Sequence, residues 1–206
     1  MDYGFVIYDW NGTLLDDTSM CHDMLNELLH SHGLPAVSME KYRQIFTFPI
    51  KKYYERAGFD FSKESYEHIA DGYVRRYMKR YVECSLTEGA LDFIRRVTVP
   101  QFIVSATKQE MLDEQVDHYD IRKYFTKVMG LSDHYAGGKV ELAKKCAGMT
   151  AGRGLWIGDT THDYESAKAI GCDCVLLESG HQSPEILKET GCRTVSGFSE
   201  LMRDFT

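Results

Sequence analysis

One aspartate in this 206-residue chain stands where a carboxylate could do covalent chemistry. Asp9 directly follows the apolar run Phe5–Tyr8, which is typical of a buried strand. A carboxylate at a strand end can attack an electrophile, and Asn11 and Gly12 after it can present backbone N–H groups to an anion. An aspartate in such a loop is also a common turn former, so this segment alone leaves both interpretations open.

Two further polar segments could bind phosphate oxygens. Ser105 and Ala106 follow the apolar run Phe102–Val104 and could contribute a hydroxyl and exposed amides, although a serine at such a junction is also a common helix N-cap. Lys139 follows Gly137-Gly138 and is a compact positive charge suited to a phosphoryl group. Considered singly, it would be interpreted as a surface lysine.

A pair of carboxylates completes the set. Asp159 and Asp163 lie four residues apart after the run Leu155–Ile157, and carboxylate oxygens suit a hard cation such as Mg²⁺. One of them could instead cap the helix that follows. Open α/β sheets bind ligands at the carboxyl ends of their strands. Since four such segments each follow a predicted strand, we expect them to form one site.

The apolar runs alternate with helical patterns, which indicates βαβ units and an α/β fold: a Rossmann-like, doubly wound parallel sheet. The predicted strands are Phe5–Tyr8, Phe102–Val104, Val128–Leu131, Leu155–Ile157, Cys174–Leu177 and Thr194–Val195. The predicted crossover helices are Gln109–His118, Val140–Cys146, Tyr164–Ile170 and Pro184–Glu189.

One long region interrupts this alternation. Residues 16–85 show helical periodicity without a convincing strand, and they are far too many for a simple crossover. We therefore predict an inserted α-helical cap at 16–85 and an α/β core at 1–15 and 86–206. The expected hinges are Asp16-Asp17 and Thr87-Glu88-Gly89.

Composition and charge indicate which classes of binding partner the protein can have. The formal net charge of -7 argues against nucleic acid, which calls for a concentrated basic surface. Apolar runs are too short to span a bilayer, and the N-terminus lacks the pattern of a secretion signal. The six scattered cysteines include no CxxC pair, so we expect a reduced, cytoplasmic protein with no membrane association. The oligomeric state cannot be inferred from these features.

Together these residues resemble the haloacid dehalogenase-like hydrolase superfamily, in the subgroup with a helical cap after the first motif. The likeness covers nearly the whole chain. Its most specific element is Gly158-Asp159-Thr160 followed by Ser166-Ala167 and Ala169-Ile170-Gly171, and the segment Phe46–Pro49 resembles the cap of phosphoglycolate phosphatase-like members.

The resemblance implies a magnesium-dependent phosphatase that acts on a small phosphorylated substrate. Asp9 matches the nucleophile that forms an aspartyl-phosphate, and Lys139 and Ser105 match the phosphate-stabilising residues. The expected metal ligands are Asp9, the backbone carbonyl of Asn11, and Asp159, with Asp163 as a further ligand or a hydrogen-bond acceptor beside them. Asn11, Gly12 and Ala106 are expected to contact the phosphate.

One residue departs from the pattern. Phosphatases of this superfamily usually carry a second aspartate at the position of Asn11, where it serves as general acid and base. An amide cannot donate and recover a proton in this way, and general acid–base catalysis typically contributes about 10²–10⁴-fold. We expect Asn11→Asp to preserve or raise phosphatase activity by restoring the acid.

The same departure leaves three alternatives. Phosphonoacetaldehyde hydrolases of the superfamily resemble this first motif and cleave a P–C bond through a Schiff base on a cap lysine, for which Lys51 and Lys52 are candidates. Dehalogenase chemistry needs no metal, which disagrees with Asp159 and Asp163. A phospho-ligand sensor without turnover is the third alternative.

Overall fold

The computed structural model describes residues 3–132 and 138–204. Its strands are β1 (Phe5–Tyr8), β2 (Leu15–Asp16), β3 (Ser85–Leu86), β4 (Gln101–Lys108), β5 (Lys127–Leu131), β6 (Gly154–Gly158), β7 (Asp173–Leu177) and β8 (Arg193–Val195). Its α-helices are α1 (Thr18–Ser31), α2 (Met39–Ile45), α3 (Ile50–Ala57), α4 (Tyr66–Arg80), α5 (Ala90–Arg96), α6 (Gln109–His118), α7 (Gly138–Ala147), α8 (Thr161–Ala169), α9 (Pro184–Glu189) and α10 (Phe198–Leu201).

Six strands form one parallel sheet in the order β5-β4-β1-β6-β7-β8. Every residue of β1 and β6 is buried, as expected for central parallel strands covered by helices on both faces. The chain runs from β1 to β4 on one side and later from β5 to β6 on the other, so the strand order reverses beside β1. This confirms the predicted doubly wound α/β fold and locates the expected ligand crevice at the carboxyl end of β1.

The predicted strands are all present, and most are one residue longer at an end. β4 is the exception, because it continues through polar residues to Lys108, which pairs with Leu131 across an irregularity in the register. The helices at Gln109–His118 and Pro184–Glu189 are confirmed with the predicted bounds. The short helices α5 and α10 were not predicted.

The inserted region consists of the four helices α1 to α4, which share a hydrophobic cluster of their own. In α1 the buried side chains recur every three or four residues, from Met20 and Cys21 to Leu28 and Leu29. The two-residue strands β2 and β3 pair where the chain enters and leaves this region, with Leu15 opposite Leu86 and Asp16 opposite Ser85. The predicted division between core and cap falls within this ribbon.

Two further hydrophobic clusters occupy the two faces of the main sheet. Their packing holds the carboxyl ends of β1, β4, β6 and β7 in fixed register. In the described part of the chain, no helix combines the length and the apolar character that a bilayer crossing requires.

Candidate active site

The loop after β1 holds Asp9 at the carboxyl edge of the sheet. The backbone N–H of Asp9 still bonds to the carbonyl of Ile157 in β6, at 2.9 Å, which fixes the start of the loop. The chain then turns tightly, because the carbonyl of Trp10 accepts the N–H groups of Thr13, Leu14 and Leu15. The Trp10 indole donates to Gln115 and is buried in the core, so it does not line the site.

Asp9 lies in contact with Lys139, which α7 supplies from its first turn. The Lys139 Nζ is 2.7 Å from Asp9 Oδ1 and 2.6 Å from Asp163 Oδ1, and all three side chains are buried. The backbone N–H of Trp10 also donates to Asp9 Oδ1, at 2.7 Å. The protein therefore orients Oδ1 of Asp9. No described residue donates a hydrogen bond to Oδ2, which is the oxygen that could bind a ligand.

Asp163 orients the lysine and caps the helix α8. Its Oδ1 accepts hydrogen bonds from Lys139 and from the Trp156 indole, at 2.6 and 3.1 Å. Its Oδ2 accepts from the backbone of Asp159 and from both the backbone and the hydroxyl of Thr160. Asp163 therefore caps α8 and orients Lys139 at the same time. Because both of its oxygens already accept hydrogen bonds, Asp163 is better suited to positioning Lys139 than to binding a metal ion directly.

Asp159 lies on the other side of Asp9. Its Oδ1 accepts the Thr13 hydroxyl at 2.9 Å, and its Oδ2 accepts the backbone N–H of His181 at 2.7 Å. Gly12, at φ +68°, passes so close that a Cβ there would lie 2.3 Å from Asp159 Oδ2. A Cβ on Gly180 would also meet Asp159 at 2.3 Å. Both positions therefore require glycine for the loops to close around this carboxylate.

The Asp9 cluster is the name used here for four side chains: Asp9, Lys139, Asp159 and Asp163. It contains three carboxyl groups and one ammonium. Burial and repulsion by Asp163 raise the pKa of Asp9 to about 8, against the attraction of Lys139. Burial also raises the pKa of Asp159 to about 6. Although burial opposes it, attraction by Lys139 holds the pKa of Asp163 below its usual value.

Three carboxyl groups face one ammonium in this cluster, so full ionisation of all three would leave two negative charges in a buried space. One oxygen from each of Asp9, Asp159 and Asp163 lies within 4.8 Å of the others. Like-charged buried carboxylates raise one another's pKa unless a cation compensates them. A hard divalent ion with oxygen ligands supplies that compensation, so the donor set fits Mg²⁺.

Ser105 is buried within β4, directly after the apolar half of that strand. Its Oγ accepts the backbone N–H of Thr107 at 3.1 Å, which leaves the hydroxyl proton free to bond to a ligand oxygen. Ala106 is exposed beside it. Gly137, expected in the loop before Lys139, lies outside the described residues.

Asn11 and Gly12 are engaged in contacts that the sequence did not predict. The Asn11 amide nitrogen donates to Asp17 Oδ2 and to the Tyr77 hydroxyl, at 2.8 and 2.6 Å, while its oxygen accepts from Thr107. The Gly12 N–H donates to Asp17 Oδ1 at 2.8 Å. In this conformation neither the Asn11 side chain nor the Gly12 amide is free to hold a phosphate.

Asp17 was expected only as a hinge residue, yet it is wholly buried beside the active-site loop. Besides Asn11 and Gly12, it accepts hydrogen bonds from Tyr77 in α4, at 2.8 Å, and from Cys21 in α1, at 3.6 Å. His181 Nε2 lies 3.1 Å from its Oδ1. Burial raises the pKa of Asp17, but the attraction of His181 outweighs it and holds that pKa below its usual value.

His181 is the other residue that sequence reasoning missed. It lies in the loop after β7, where its Nδ1 contacts the Tyr42 hydroxyl at 2.7 Å and its ring stacks on Phe46 at 4.8 Å between centroids. Burial lowers the pKa of His181, but Asp17 raises it above the usual value. A signal was present, because the polar segment Glu178-Ser179-Gly180-His181 directly follows a predicted strand.

The lysines considered for Schiff-base chemistry lie elsewhere. Lys51 and Lys52 are exposed on α3, and the Lys51 ammonium lies over the Phe61 ring at 5.5 Å. A Schiff-base lysine needs a desolvated pocket to lose its proton at neutral pH. His162 lies in the first turn of α8 with its ring centroid 4.6 Å from that of Phe48.

Comparison with known proteins identifies the family of this chain. The sequence pattern of haloacid dehalogenase-like hydrolases matches residues 6–177. The chain is 25% identical over 214 aligned positions to a phosphoglycolate phosphatase of Photorhabdus laumondii subsp. laumondii, covering 96% of this chain and 90% of that protein. It is 26% identical over 199 positions to the tyrosine-protein kinase PtkA of Mycobacterium bovis, covering 93% and 67%.

Among solved structures, a haloacid dehalogenase-like family hydrolase from Streptococcus pneumoniae superposes with a TM-score of 0.82 at 16% identity, over 99% of both chains. This likeness extends through the sheet and the helical insertion alike. The chain belongs to the haloacid dehalogenase-like hydrolase family and is an enzyme of that family.

Proposed function

We propose that the protein is a magnesium-dependent phosphatase that hydrolyses a small phosphorylated metabolite through an aspartyl-phosphate on Asp9. The observation that carries this proposal is the Asp9 cluster. It contains a buried carboxyl group held on one oxygen by Lys139 and the Trp10 N–H, with two further carboxyl groups close by and only that one ammonium among them. Such a group is oriented for attack but needs a cation before an anionic substrate can approach.

In the proposed first step, Asp9 Oδ2 attacks phosphorus in line with the ester oxygen. An O–P bond forms to Asp9 while the bond to the leaving oxygen breaks. In the second step, water attacks the same phosphorus, which releases inorganic phosphate and restores the Asp9 carboxylate. Lys139 is positioned to stabilise negative charge on the transferring oxygens, and Asp163 holds it in place.

Asp9, Asp159 and the backbone carbonyl of Asn11 would hold Mg²⁺. When bound, the ion would offset repulsion between the carboxylate and the phosphate, as metal ions do in phosphoryl transfer. Asp163 would act by orienting Lys139, since five donors already occupy its oxygens. Ser105 would donate its hydroxyl to a phosphate oxygen.

Residues 16–85 would act as the cap that closes over this site and selects the substrate. In the described conformation the cap is docked on the core, since Arg43 and Phe46 bond to the segment Ser179–Ser183 after β7. A closed cap excludes water from the reacting groups. The names of the two relatives, a phosphoglycolate phosphatase and a tyrosine-protein kinase, both concern phosphoryl groups, which supports a phosphoryl substrate and leaves its carbon skeleton open.

Asn11 gives the proposed reaction a distinctive property. With no acid at this position, the departing oxygen must leave with little protonation, so the first step should depend strongly on how acidic the leaving alcohol is. We expect p-nitrophenyl phosphate to be cleaved much faster than alkyl phosphates at equal saturation. A relative with aspartate at this position should show a weaker dependence.

The test is release of inorganic phosphate from a panel that includes 2-phosphoglycolate and p-nitrophenyl phosphate, in Mg²⁺ and in EDTA. We expect release that requires Mg²⁺ and falls by about 10⁴-fold or more in Asp9→Asn, because an amide cannot form the phosphoenzyme. Lys144→Gln, on the exposed face of α7, is the matched control and should retain full activity. Wild-type rates in Asp9→Asn would overturn the covalent mechanism, and no release from any compound would favour a sensor without turnover.

A further inference from the structure

Three different metal-binding side chains meet behind the active-site loop, outside the Asp9 cluster. Asp17 and Cys21 lie four residues apart at the start of α1, so both side chains project from the same face of the helix. His181 comes from the core loop after β7, 164 residues from Asp17 in sequence. All three residues are buried.

Their atoms are spaced like the ligands of one ion. Asp17 Oδ1 and His181 Nε2 are 3.1 Å apart, Asp17 Oδ2 and Cys21 Sγ are 3.6 Å apart, and one ligand atom from each residue lies within 4.8 Å of the others. Bond lengths of about 2.0–2.3 Å to a tetrahedral zinc ion put neighbouring ligands roughly 3.3–3.8 Å apart. Only small shifts would let the three groups share an ion.

The ligand types set the kind of metal. A thiolate and an imidazole favour zinc and similar transition ions, whereas Mg²⁺ and Ca²⁺ prefer oxygen ligands alone. We propose that Asp17, Cys21 and His181, here called the Asp17 cluster, form a second metal site for Zn²⁺ that fastens the cap to the core. It is separate from the oxygen-only Asp9 cluster in chemistry and in residues.

The charges balance whether or not the ion is bound. Without it, the contact with the Asp17 carboxylate favours a protonated His181, and the Cys21 thiol donates to the same carboxylate. Binding Zn²⁺ would release one proton from the imidazolium and one from the thiol, so that two protons leave as two positive charges arrive. The buried cluster remains neutral in both states, which avoids the large cost of an unpaired buried charge.

Surrounding contacts already hold the ligands in place. The Tyr42 hydroxyl contacts His181 Nδ1, which leaves Nε2 directed at Asp17, and Phe46 stacks on the ring. Gly12 and Asn11 donate to the two oxygens of Asp17. Metal-binding histidines are commonly oriented through their second nitrogen in this way, and such partners strengthen metal affinity.

Zinc at this position would regulate the enzyme by holding the cap closed. Asp17 directly precedes the cap helix α1 and Cys21 lies in its first turn, whereas His181 belongs to the core. An ion shared by all three would join the two parts directly beside Gly12 and Asp159. We therefore expect Zn²⁺ to slow product release and a chelator to reverse the effect.

Cobalt spectroscopy tests the site without relying on turnover. The reduced, chelator-treated enzyme is titrated with Co²⁺ in excess Mg²⁺, which keeps oxygen-only sites filled. We expect one tightly bound Co²⁺ with a near-ultraviolet thiolate-to-cobalt band and the visible bands of tetrahedral cobalt. Cys21→Ser should lose the thiolate band and bind Zn²⁺ at least about 100-fold more weakly, since it removes a ligand outright.

Cys146→Ser is the matched control, because Cys146 is also a buried free thiol but lies on α7, packed into the core away from the cap. It should keep the full spectrum. A cobalt complex without a thiolate band in the wild type, or a band that survives in Cys21→Ser, would overturn the proposal. If Cys21→Ser does not fold, zinc-edge absorption on the wild type decides: one sulfur with imidazole neighbours supports the site, and oxygen neighbours alone refute it.

Discussion

The Asp9 cluster and the Asp17 cluster are neighbours, yet they differ in how far their buried charges are paired within the protein. The Asp9 cluster holds three carboxyl groups against one ammonium, and the pKa of Asp9 is raised to about 8. In the Asp17 cluster one carboxylate pairs with His181 and accepts four further hydrogen bonds. The difference teaches that crowded carboxyl groups favour the proposed Mg²⁺ in the first cluster, whereas the second pairs its charges without an ion and connects the cap to the core.

The largest expected difference between the clusters is in stability. Asp17→Asn breaks the buried ion pair with His181 and removes the charge that keeps this ring protonated against burial, so we expect the free energy of unfolding without metal to fall by about 3–5 kcal/mol. Asp159→Asn removes one of the mutually repelling carboxylates and should leave that stability unchanged or higher. Urea denaturation in EDTA measures both. A larger loss in Asp159→Asn than in Asp17→Asn would reverse the comparison.

The second prediction concerns the stabilising effect of Mg²⁺. An ion that binds only the folded state at 100 times its Kd raises the free energy of unfolding by about 2.7 kcal/mol. We expect such a rise for the wild type and none for Asp159→Asn, measured by thermal or urea unfolding across a Mg²⁺ titration. Asp173→Asn, which changes a carboxylate at the opposite end of the sheet, should respond like the wild type.

The third prediction adds a cost in stability to the activity expected of Asn11→Asp. The new carboxylate would face Asp17 at the 2.8 Å contact that the amide now makes, so a hydrogen bond becomes a repulsion. We expect a loss of about 1.5–3 kcal/mol of stability together with reduced dependence on the leaving group. The double variant Asn11→Asp/Asp17→Asn exchanges amide and carboxylate and should recover part of the stability. Equal losses in the single and double variants would show that the Asn11–Asp17 contact is unimportant.

The smallest expected effect comes from Tyr77, which connects α4 to Asp17 and Asn11. Tyr77→Phe removes one hydroxyl from this network and should cost about 1 kcal/mol of stability while raising KM, because the closed cap loses a contact. Tyr81→Phe is the matched control, since its hydroxyl bonds to Glu114 outside the cluster. It should lower stability by a similar amount with no change in KM. The same KM shift in both variants would place the effect outside the Asp17 network.

Much of the fold was predictable because parallel strands are buried on both faces. The runs Phe5–Tyr8 and Leu155–Ile157 are apolar throughout, and each is a central strand. The end of β4 was missed for the opposite reason. Its residues from Ser105 onward are polar or exposed, and pairing with β5, rather than burial, keeps them extended.

The residues of the Asp9 cluster follow strand ends in the order of the sequence pattern, so their proximity could be predicted from topology. The Asp17 cluster could not be predicted in that way. Asp17 lies just before the first cap helix, and His181 lies in the loop after β7. The two residues are 164 positions apart, and no sequence periodicity relates positions so distant. Their contact depends on how the cap docks on the core, which local sequence patterns do not determine. From the sequence, Asn11 could be interpreted only as the absence of a general acid, because its hydrogen-bond partners Asp17 and Tyr77 come from the contact between cap and core.

The most direct test of the central claim is a search for the phosphoenzyme itself. Wild-type protein is mixed with a rapidly cleaved substrate and Mg²⁺, quenched in acid within one turnover, digested and examined by mass spectrometry. We predict that the peptide containing Asp9 gains the mass of one phosphoryl group, and that neither EDTA-treated protein nor Asp9→Asn shows this gain. Release of phosphate with an unmodified Asp9 peptide, or with the phosphoryl group on another residue, would contradict the account.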